Sequence, residues 1–340
     1  MVKLAKVVVN GDIGIIEGEK EANRIYNKGC YGEFDGKLKL SLIETCYLLE
    51  KERVDVEIDG KAADIKKFME YALHYMPDFE IRYLVYRDLR ERGYILKVKK
   101  DFLLYERGRR PPAPPGFVVK AVSERARFRI KDIDEFIEEA KGKLILGIVD
   151  EEGDITYYIA KHFVMNGVFI ERDYEGKIHL LNDRCVVWDE NLMEMLKEDF
   201  IGKSFGKYMQ LSLMEAAYVA GRGASVIKNG RKMSIKRFLQ HAKKIQPDIE
   251  ERLAVYENLR KKGLLPKTGF KFGSHFRVYD KNPEESHAPY LVHVVRENYE
   301  ATWAEISRAV RLAHSVKKEM VFGMINGGEI KYIRLKRITP

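Results

Sequence analysis

Cysteine is scarce in this chain of 340 residues: only Cys30, Cys46 and Cys185 occur, with no CxxC pair and no even-numbered set. That excludes a zinc ribbon or a disulfide framework and points to small buried residues in a reducing compartment. Long apolar runs are lacking too, none approaching the roughly 18 residues that a membrane span requires. The LAKVVV segment following Met1 and its two neighbours reads as a strand rather than a signal peptide, so no membrane is expected and the setting is cytoplasmic. A phosphate loop is missing. Gly202-Lys203-Ser204 has Lys197 where that loop needs a glycine five residues before Gly202. Carboxylates are sparse in the last quarter of the chain, where Asp280, Glu284 and Glu285 share one loop and Glu305 and Glu319 stand apart. A metal-dependent hydrolase would need them to converge.

What the chain does have is a duplication. PDFEIRYLVYRDLRERGYILK at 77 to 97 returns as PDIEERLAVYENLRKKGLLPK at 247 to 267, with ten of 21 positions identical at an offset of 170. Upstream, LSLIETCYLL at 40 to 49 matches LSLMEAAYVA at 211 to 220, and downstream GIVDEEGDITYY at 147 to 158 mirrors GMINGGEIKYI at 323 to 333. A period this long indicates a doubled domain, since solenoid repeats run to about 20 to 50 residues. The expected domains are 1–165 and 166–340, the second dividing into a front part at about 166–263 and a rear part at about 264–340. Asn10-Gly11 between two apolar runs predicts an opening hairpin over 2–9 and 13–16. Helical spacing covers 40–52, 62–75 and 79–92, with Asp78 placed to cap the third, and again 211–220, 234–245 and 249–262. Strands are expected at 276–279, 290–295 and 320–325, with a helix over 302–317. The fold class is therefore α/β in the α+β sense, each repeat being a small helix-plus-sheet subdomain followed by a strand-rich α/β subdomain.

Charge distinguishes the copies. Residues 1–165 hold 30 Lys plus Arg against 30 Asp plus Glu, while 166–340 hold 31 against 22, so the net charge of +9 lies wholly in the second copy. Clustered cations suit a polyanion, whereas a charged surface can equally serve solubility. Subtracting the copies isolates chemistry. Tyr279 has a counterpart in Tyr105, but His287 falls where the first copy has the proline-rich loop PPAPPG, and Lys318 falls on Gly142. Tyrosine, histidine and lysine together suit cleavage of RNA through its own 2′-hydroxyl. Histidine, ordinarily titrating near pH 6.5, can protonate the leaving oxygen, and lysine can stabilise charge gathering on phosphorus. A tyrosine base needs a nearby cation such as Lys318, because phenols ordinarily titrate near pH 10. On the 302–317 helix, Trp303, Ile306, Val310 and Ala313 should face the core, and Arg311 and Lys318 would share another face if the helix continued. Arg334 alternates in phase with Tyr332, and Arg337 points the other way.

The segments FKFGSHFRVY, SHAPYLVHVV and WAEISRAVRLAHSVKKEMVFGMI resemble the catalytic half of archaeal tRNA-intron splicing endonucleases, and the two-copy chain resembles their homodimeric type. The resemblance covers nearly the whole chain. It implies that Tyr279 is general base, His287 general acid and Lys318 transition-state stabiliser, with no cofactor or metal. The implied reaction cuts precursor tRNA at bulge-helix-bulge sites and leaves 2′,3′-cyclic phosphate and 5′-hydroxyl ends. It also implies a structural role for 1–165 and a nuclease role for the rear of 166–340. Two chains would assemble through an acidic loop matched by Asp150, Glu151, Glu152 and Asp154. Arg311 and Arg334 match a pair of arginines that clamps a base, with Arg337 competing for the second place. The alternative is a non-catalytic RNA-binding or structural subunit of an RNA-processing assembly.

Overall fold

The computed structural model describes residues 4–340, so Val2 and Lys3 of the expected opening strand lie outside the described residues. The chain forms two compact units. One runs up to Lys161 and includes Glu300–Ser307 and Leu335–Pro340; the other comprises His162–Tyr299 and Arg308–Arg334.

The first unit opens with the antiparallel hairpin Ala5–Asn10 and Ile13–Ile16, turning at Gly11. These strands belong to a six-stranded sheet in the order Glu33–Asp35, Lys37–Ser41, Ile13–Ile16, Ala5–Asn10, Val54–Ile58, Lys61–Ala63. Helices α1 (Glu19–Gly29), α2 (Leu42–Glu50), α3 (Ile65–Tyr75) and α4 (Phe79–Glu91) accompany it. A second group of strands follows in the order Ile155–His162, Leu144–Val149, Phe117–Ser123, Phe102–Tyr105, Ile95–Val98. Helix α5 (Ile130–Glu139) connects its parallel pair, Phe117–Ser123 and Leu144–Val149.

The second unit repeats this plan. Its six-stranded sheet runs Lys203–Phe205, Tyr208–Leu211, Cys185–Val187, Lys177–Leu180, Ser225–Lys228, Arg231–Met233. Helices α6 (Glu190–Glu198), α7 (Leu213–Gly221), α8 (Ile235–Ile245) and α9 (Ile249–Lys261) match α1 to α4. The rear strands are Leu265–Thr268, Phe276–Tyr279, Tyr290–Arg296, Glu319–Asn326 and residues 329–334 of Glu329–Ile338. Helix α10 (Trp303–Ser315) connects the parallel pair Tyr290–Arg296 and Glu319–Asn326. On it Trp303, Ile306, Val310 and Ala313 are buried, as their spacing predicts.

Conserved letters between the copies have folding duties. The LSLIE and LSLME segments form capping boxes at α2 and α7, in which Ser41 pairs with Glu44 and Ser212 with Glu215. The same glutamates accept the backbone N–H of Gly32 at 2.7 Å and of Gly202 at 3.1 Å. Val85, Tyr86 and Leu89 of α4 and Val255, Tyr256 and Leu259 of α9 are fully buried at equal offsets. Arg90 donates to the Gly29 carbonyl and Arg260 to that of Asp199. A Cβ on Gly147 would meet Val85 and Tyr157 at 3.1–3.2 Å, and one on Gly323 would meet Val255 and Tyr332 at 3.4 Å. Glycine at both positions therefore lets a helix lie close against its sheet.

Three expectations change. Asp78 occupies the N-cap position of α4 without a side-chain cap hydrogen bond. Each front subdomain has four helices rather than three, because α1 and α6 were not anticipated. Helix α10 ends at Ser315, so Lys318 does not continue the face that carries Arg311. All three cysteines are free and buried, and burial pushes the thiols of Cys46 and Cys185 up to about 12.

Candidate active site

Tyr279 ends the Phe276–Tyr279 strand and stands opposite Leu265 in the antiparallel register. Alternation puts Phe276 and Val278 into the core and leaves Arg277 and Tyr279 half-buried on the other face. The Arg277 guanidinium lies over the Tyr279 ring, 5.8 Å from its centroid. The first copy has the same hairpin register, with Tyr105 opposite Ile95, yet Tyr105 is only 6% exposed and burial raises its phenol further. Tyr105 is therefore unsuited to give up a proton, and Leu103 stands where Arg277 would be.

His287 comes from the loop 280–289, which is wound around one residue. The Asn282 carbonyl accepts from Glu285 N at 3.1 Å, Ser286 N at 3.0 Å and Ser286 Oγ at 2.9 Å, and its Oδ1 accepts from Glu284 N at 3.0 Å. These bonds tighten the chain just before His287 and leave the imidazole exposed, with no hydrogen bond to another described residue. Ala288, next in sequence, is buried and anchors the loop.

Lys318 is placed by a helix C-cap. Lys317 adopts φ 55°, its N–H reaching the His314 carbonyl at 3.0 Å, while the Lys318 N–H reaches Ala313 at 2.8 Å. This is the Schellman pattern, which turns the chain sharply out of α10. The first copy repeats it after α5: Lys141 has φ 51°, and Gly142 N–H reaches Ile137 at 2.8 Å. The turn thus forms without a lysine. In the second copy the Lys318 ammonium donates to the Ala288 carbonyl at 2.6 Å and lies 5.7 Å from the Phe272 ring centre. Burial, reinforced by the charge of Arg277, lowers its pKa below that of ordinary lysine. The structure therefore joins Lys318 to the residue after His287 by a hydrogen bond, and the guanidinium that acts on Lys318 is the one that lies over the Tyr279 ring.

Beneath Tyr279 lies a cavity of about 230 Å³ walled by both subdomains of this unit, Gly202, Ser204 and Met209 on one side and Lys267, Arg277 and Tyr279 on the other. Lys267 donates to the carbonyls of Phe200 at 2.6 Å and Gly202 at 3.2 Å and approaches Glu215 at 3.6 Å. Among the described residues, no three ligand atoms from His, Cys, Asp or Glu converge in this cavity.

The other histidines of this sheet serve packing. His275 and His293 stack at 4.4 Å, and His275 Nδ1 accepts from Val294 N–H at 2.8 Å. Burial pushes His275 down to about 3 and lowers His293 as well.

Arg311 is exposed on α10. Arg334 is more constrained: it donates to Glu319 at 2.8 Å, its guanidinium lies 4.6 Å from the centre of the Phe163 ring, and its Nε is buried without a partner. Tyr332 is 5% exposed and hydrogen-bonded to Asn258, so it belongs to the core and forms no open groove with Arg334. Arg337 is exposed. In the first unit Asp150, Glu151, Glu152 and Asp154 form the tip between Leu144–Val149 and Ile155–His162. Asp150 Oδ1 accepts from Glu152 N at 3.0 Å and Asp154 N at 2.9 Å, and Glu151 pairs with Arg125 at 3.0 Å. Sequence reading missed Arg277, although the signal was available, since the first copy has leucine at that position.

Comparison with known proteins follows the same duplication. The family model described as tRNA intron endonuclease, catalytic C-terminal domain, matches residues 79–157 and 249–332. That of the tRNA intron endonuclease N-terminal domain matches 5–69 and 176–239. The tRNA-splicing endonuclease of Methanococcoides burtonii is 37% identical over 341 residues, covering 95% of this chain and 97% of its own. Those of Methanosarcina mazei and Natronomonas pharaonis are 35% and 33% identical, over 98% and 96% of this chain and 99% and 98% of their own.

Proposed function

Because the chain belongs to the tRNA intron endonuclease family, we propose that it removes introns from precursor tRNA by metal-independent cleavage at bulge-helix-bulge sites. Tyr279 takes the proton of the 2′-hydroxyl, and the 2′-oxygen attacks the adjacent phosphorus. As the bond from phosphorus to the 5′-oxygen breaks, His287 gives that oxygen a proton. Lys318 offsets the negative charge on the phosphoryl oxygens in the transition state. The products are a 2′,3′-cyclic phosphate and a 5′-hydroxyl, and atoms balance without water or a metal. Two chains act together as a homodimer in the cytoplasm, the first copy contributing the acidic loop and the second the chemistry. Arg311 and Arg334 hold an unpaired base, which requires Arg334 to leave Glu319.

The observation that carries this reading is the Lys318 hydrogen bond to Ala288, which ties the C-cap of α10 to the loop presenting His287. The first copy has the turn and neither side chain. The test is incubation of the purified chain with an intron-containing precursor in EDTA, with the ends mapped. Cleavage should persist, and His287→Ala should lower its rate by roughly 10²- to 10⁴-fold with RNA still bound. Loss of wild-type cleavage in EDTA would overturn the metal-free mechanism, and unchanged processing by His287→Ala would favour the non-catalytic alternative.

A further inference from the structure

The cavity beneath Tyr279 is cationic in a way that folding does not require. Lys267 with Glu215 and Gly202 is reproduced in the first copy by Lys97 with Glu44 and Gly32, where Lys97 donates to the Gly32 carbonyl. That cluster therefore belongs to the fold. Arg277 and Lys197 have no such twins: the hairpin register that matches Tyr279 to Tyr105 puts Leu103 at the place of Arg277, and the offset of 170 puts Asn27 at that of Lys197. They pass the subtraction that isolates His287 and Lys318.

Arg277 also has donors to spare. Its Nε is buried without a partner, and among the described residues it makes no ion pair or hydrogen bond. An unsatisfied guanidinium donor beside two further cations, Lys267 and Lys318, costs stability unless an anion enters. The cavity, at about 230 Å³, falls below the roughly 300 to 1,000 Å³ of sites for whole small molecules, yet it admits a tetrahedral phosphate. Ser204 adds a hydroxyl to the wall and exposed Lys197 a charge at the mouth. The lining carboxylate is Glu284, exposed on the loop that carries His287.

We propose that this cavity is a subsite for one RNA backbone phosphate beside the scissile bond, gripped by the fork of Arg277 and approached past Lys197. It rests on the reading that Tyr279 lies at the cleavage site. A guanidinium fits two phosphate oxygens at once, and one that also covers the Tyr279 ring transmits the position of the bound strand to that side chain. The front subdomain thereby takes part in holding RNA, through the wall formed by Gly202 and Ser204.

The test uses the full chain in EDTA and precursor tRNAs in which single phosphates within two nucleotides of the cleavage point are replaced by uncharged methylphosphonates. Arg277→Met should weaken binding or slow cleavage about 10- to 100-fold on the natural substrate. At one modified position it should cause no further loss, because the contact is already gone. If the losses multiply at every position, or if Arg277→Met binds and cleaves as the wild type does, the subsite is refuted. Should Arg277→Met melt well below the wild type, exposed Lys197→Gln carries the same test, with a smaller loss cancelled at the same phosphate; an additive loss refutes the proposal again. His287→Ala is run alongside. If it cleaves normally, the assignment of the cleavage site has failed; if it is inactive while Arg277→Met is unaffected, only the subsite falls.

Discussion

At the scale of single residues, the first copy acts as a natural set of substitutions in a backbone of the same plan. Gly142 occupies the place of Lys318 after a helix turn closed by the same pair of hydrogen bonds, though with φ 76° where Lys318 keeps a negative φ, so the lysine side chain is not needed to close the turn. Lys318→Gly is therefore expected to fold, with a melting temperature near that of the wild type, and to lose at least about 10²-fold in cleavage rate. Thermal melts and single-turnover rates on precursor RNA check both parts. A variant that fails to fold would show that Lys318 supports the structure through Ala288 rather than the reaction. Tyr105 gives the complementary lesson. Retaining the tyrosine is not enough, because burial raises the Tyr105 phenol and, among the described residues, no cation offsets that rise where Leu103 stands in place of Arg277. Arg277 rather than Lys318 is the cation that the structure lays over Tyr279, and the sequence had offered only lysine for that task.

At the scale of elements, the stacked pair of His275 and His293 makes one strand pairing sensitive to acid. His275 is held near 3 when folded and returns to about 6.5 when unfolded, so between these values the unfolded chain binds more protons. Stability is then full above about pH 6.5 and falls as pH drops toward 3, by up to ~1.4 kcal/mol per pH unit. His293 and Arg252 oppose protonation of His275, and Asp248, 4.0 Å away, favours it. His275→Asn keeps an acceptor for the Val294 N–H, and it should flatten the fall in melting temperature between pH 6.5 and 5. An equal slope in both proteins would show that other groups carry the acid sensitivity. Helices α2 to α4 and α7 to α9 were legible because their text recurs between the copies, and α10 because Trp303, Ile306, Val310 and Ala313 mark a helical period. Helices α1 and α6 were not, since EKEANRIYNKG and ENLMEMLKE share no residue at the offset of 170 and α1 sets Ala22 and Ile25 among charged neighbours. Leu265–Thr268 contains Pro266, which argues against a strand until its place at the sheet edge is known. The candidate site was legible as a list of unmatched residues, to which Arg277 also belongs, whereas the lay of Arg277 over Tyr279 and the C-cap of Lys318 depend on side-chain alternation and a left-handed turn that spacing alone does not reveal.

For the whole molecule, charge is divided between the copies: the balanced first copy carries the acidic tip, and the excess of cations lies in the second. The proposed homodimer, if held partly by such complementarity, should weaken as salt rises, since the screening length is about 10 Å at 0.1 M and about 3 Å at 1 M. The side chains of the tip are not equivalent. Asp150 holds the turn through two backbone N–H groups, so replacing it would disturb the loop itself. Glu151 is partly engaged by Arg125, and Asp154 lines a polar groove of about 430 Å³ that also contains Arg87, Arg92 and Arg337. Glu152 has no ion pair among the described residues and is the side chain most available to a partner. Reversing Glu152 and Asp154 to lysine while keeping Asp150 should leave the turn intact and convert attraction into repulsion. In solution the mass should move from two chains toward one at moderate salt, and cleavage should fall with the dimer although Tyr279, His287 and Lys318 are untouched. A dimer of unchanged mass would make the tip an ordinary charged turn and assign assembly to another surface.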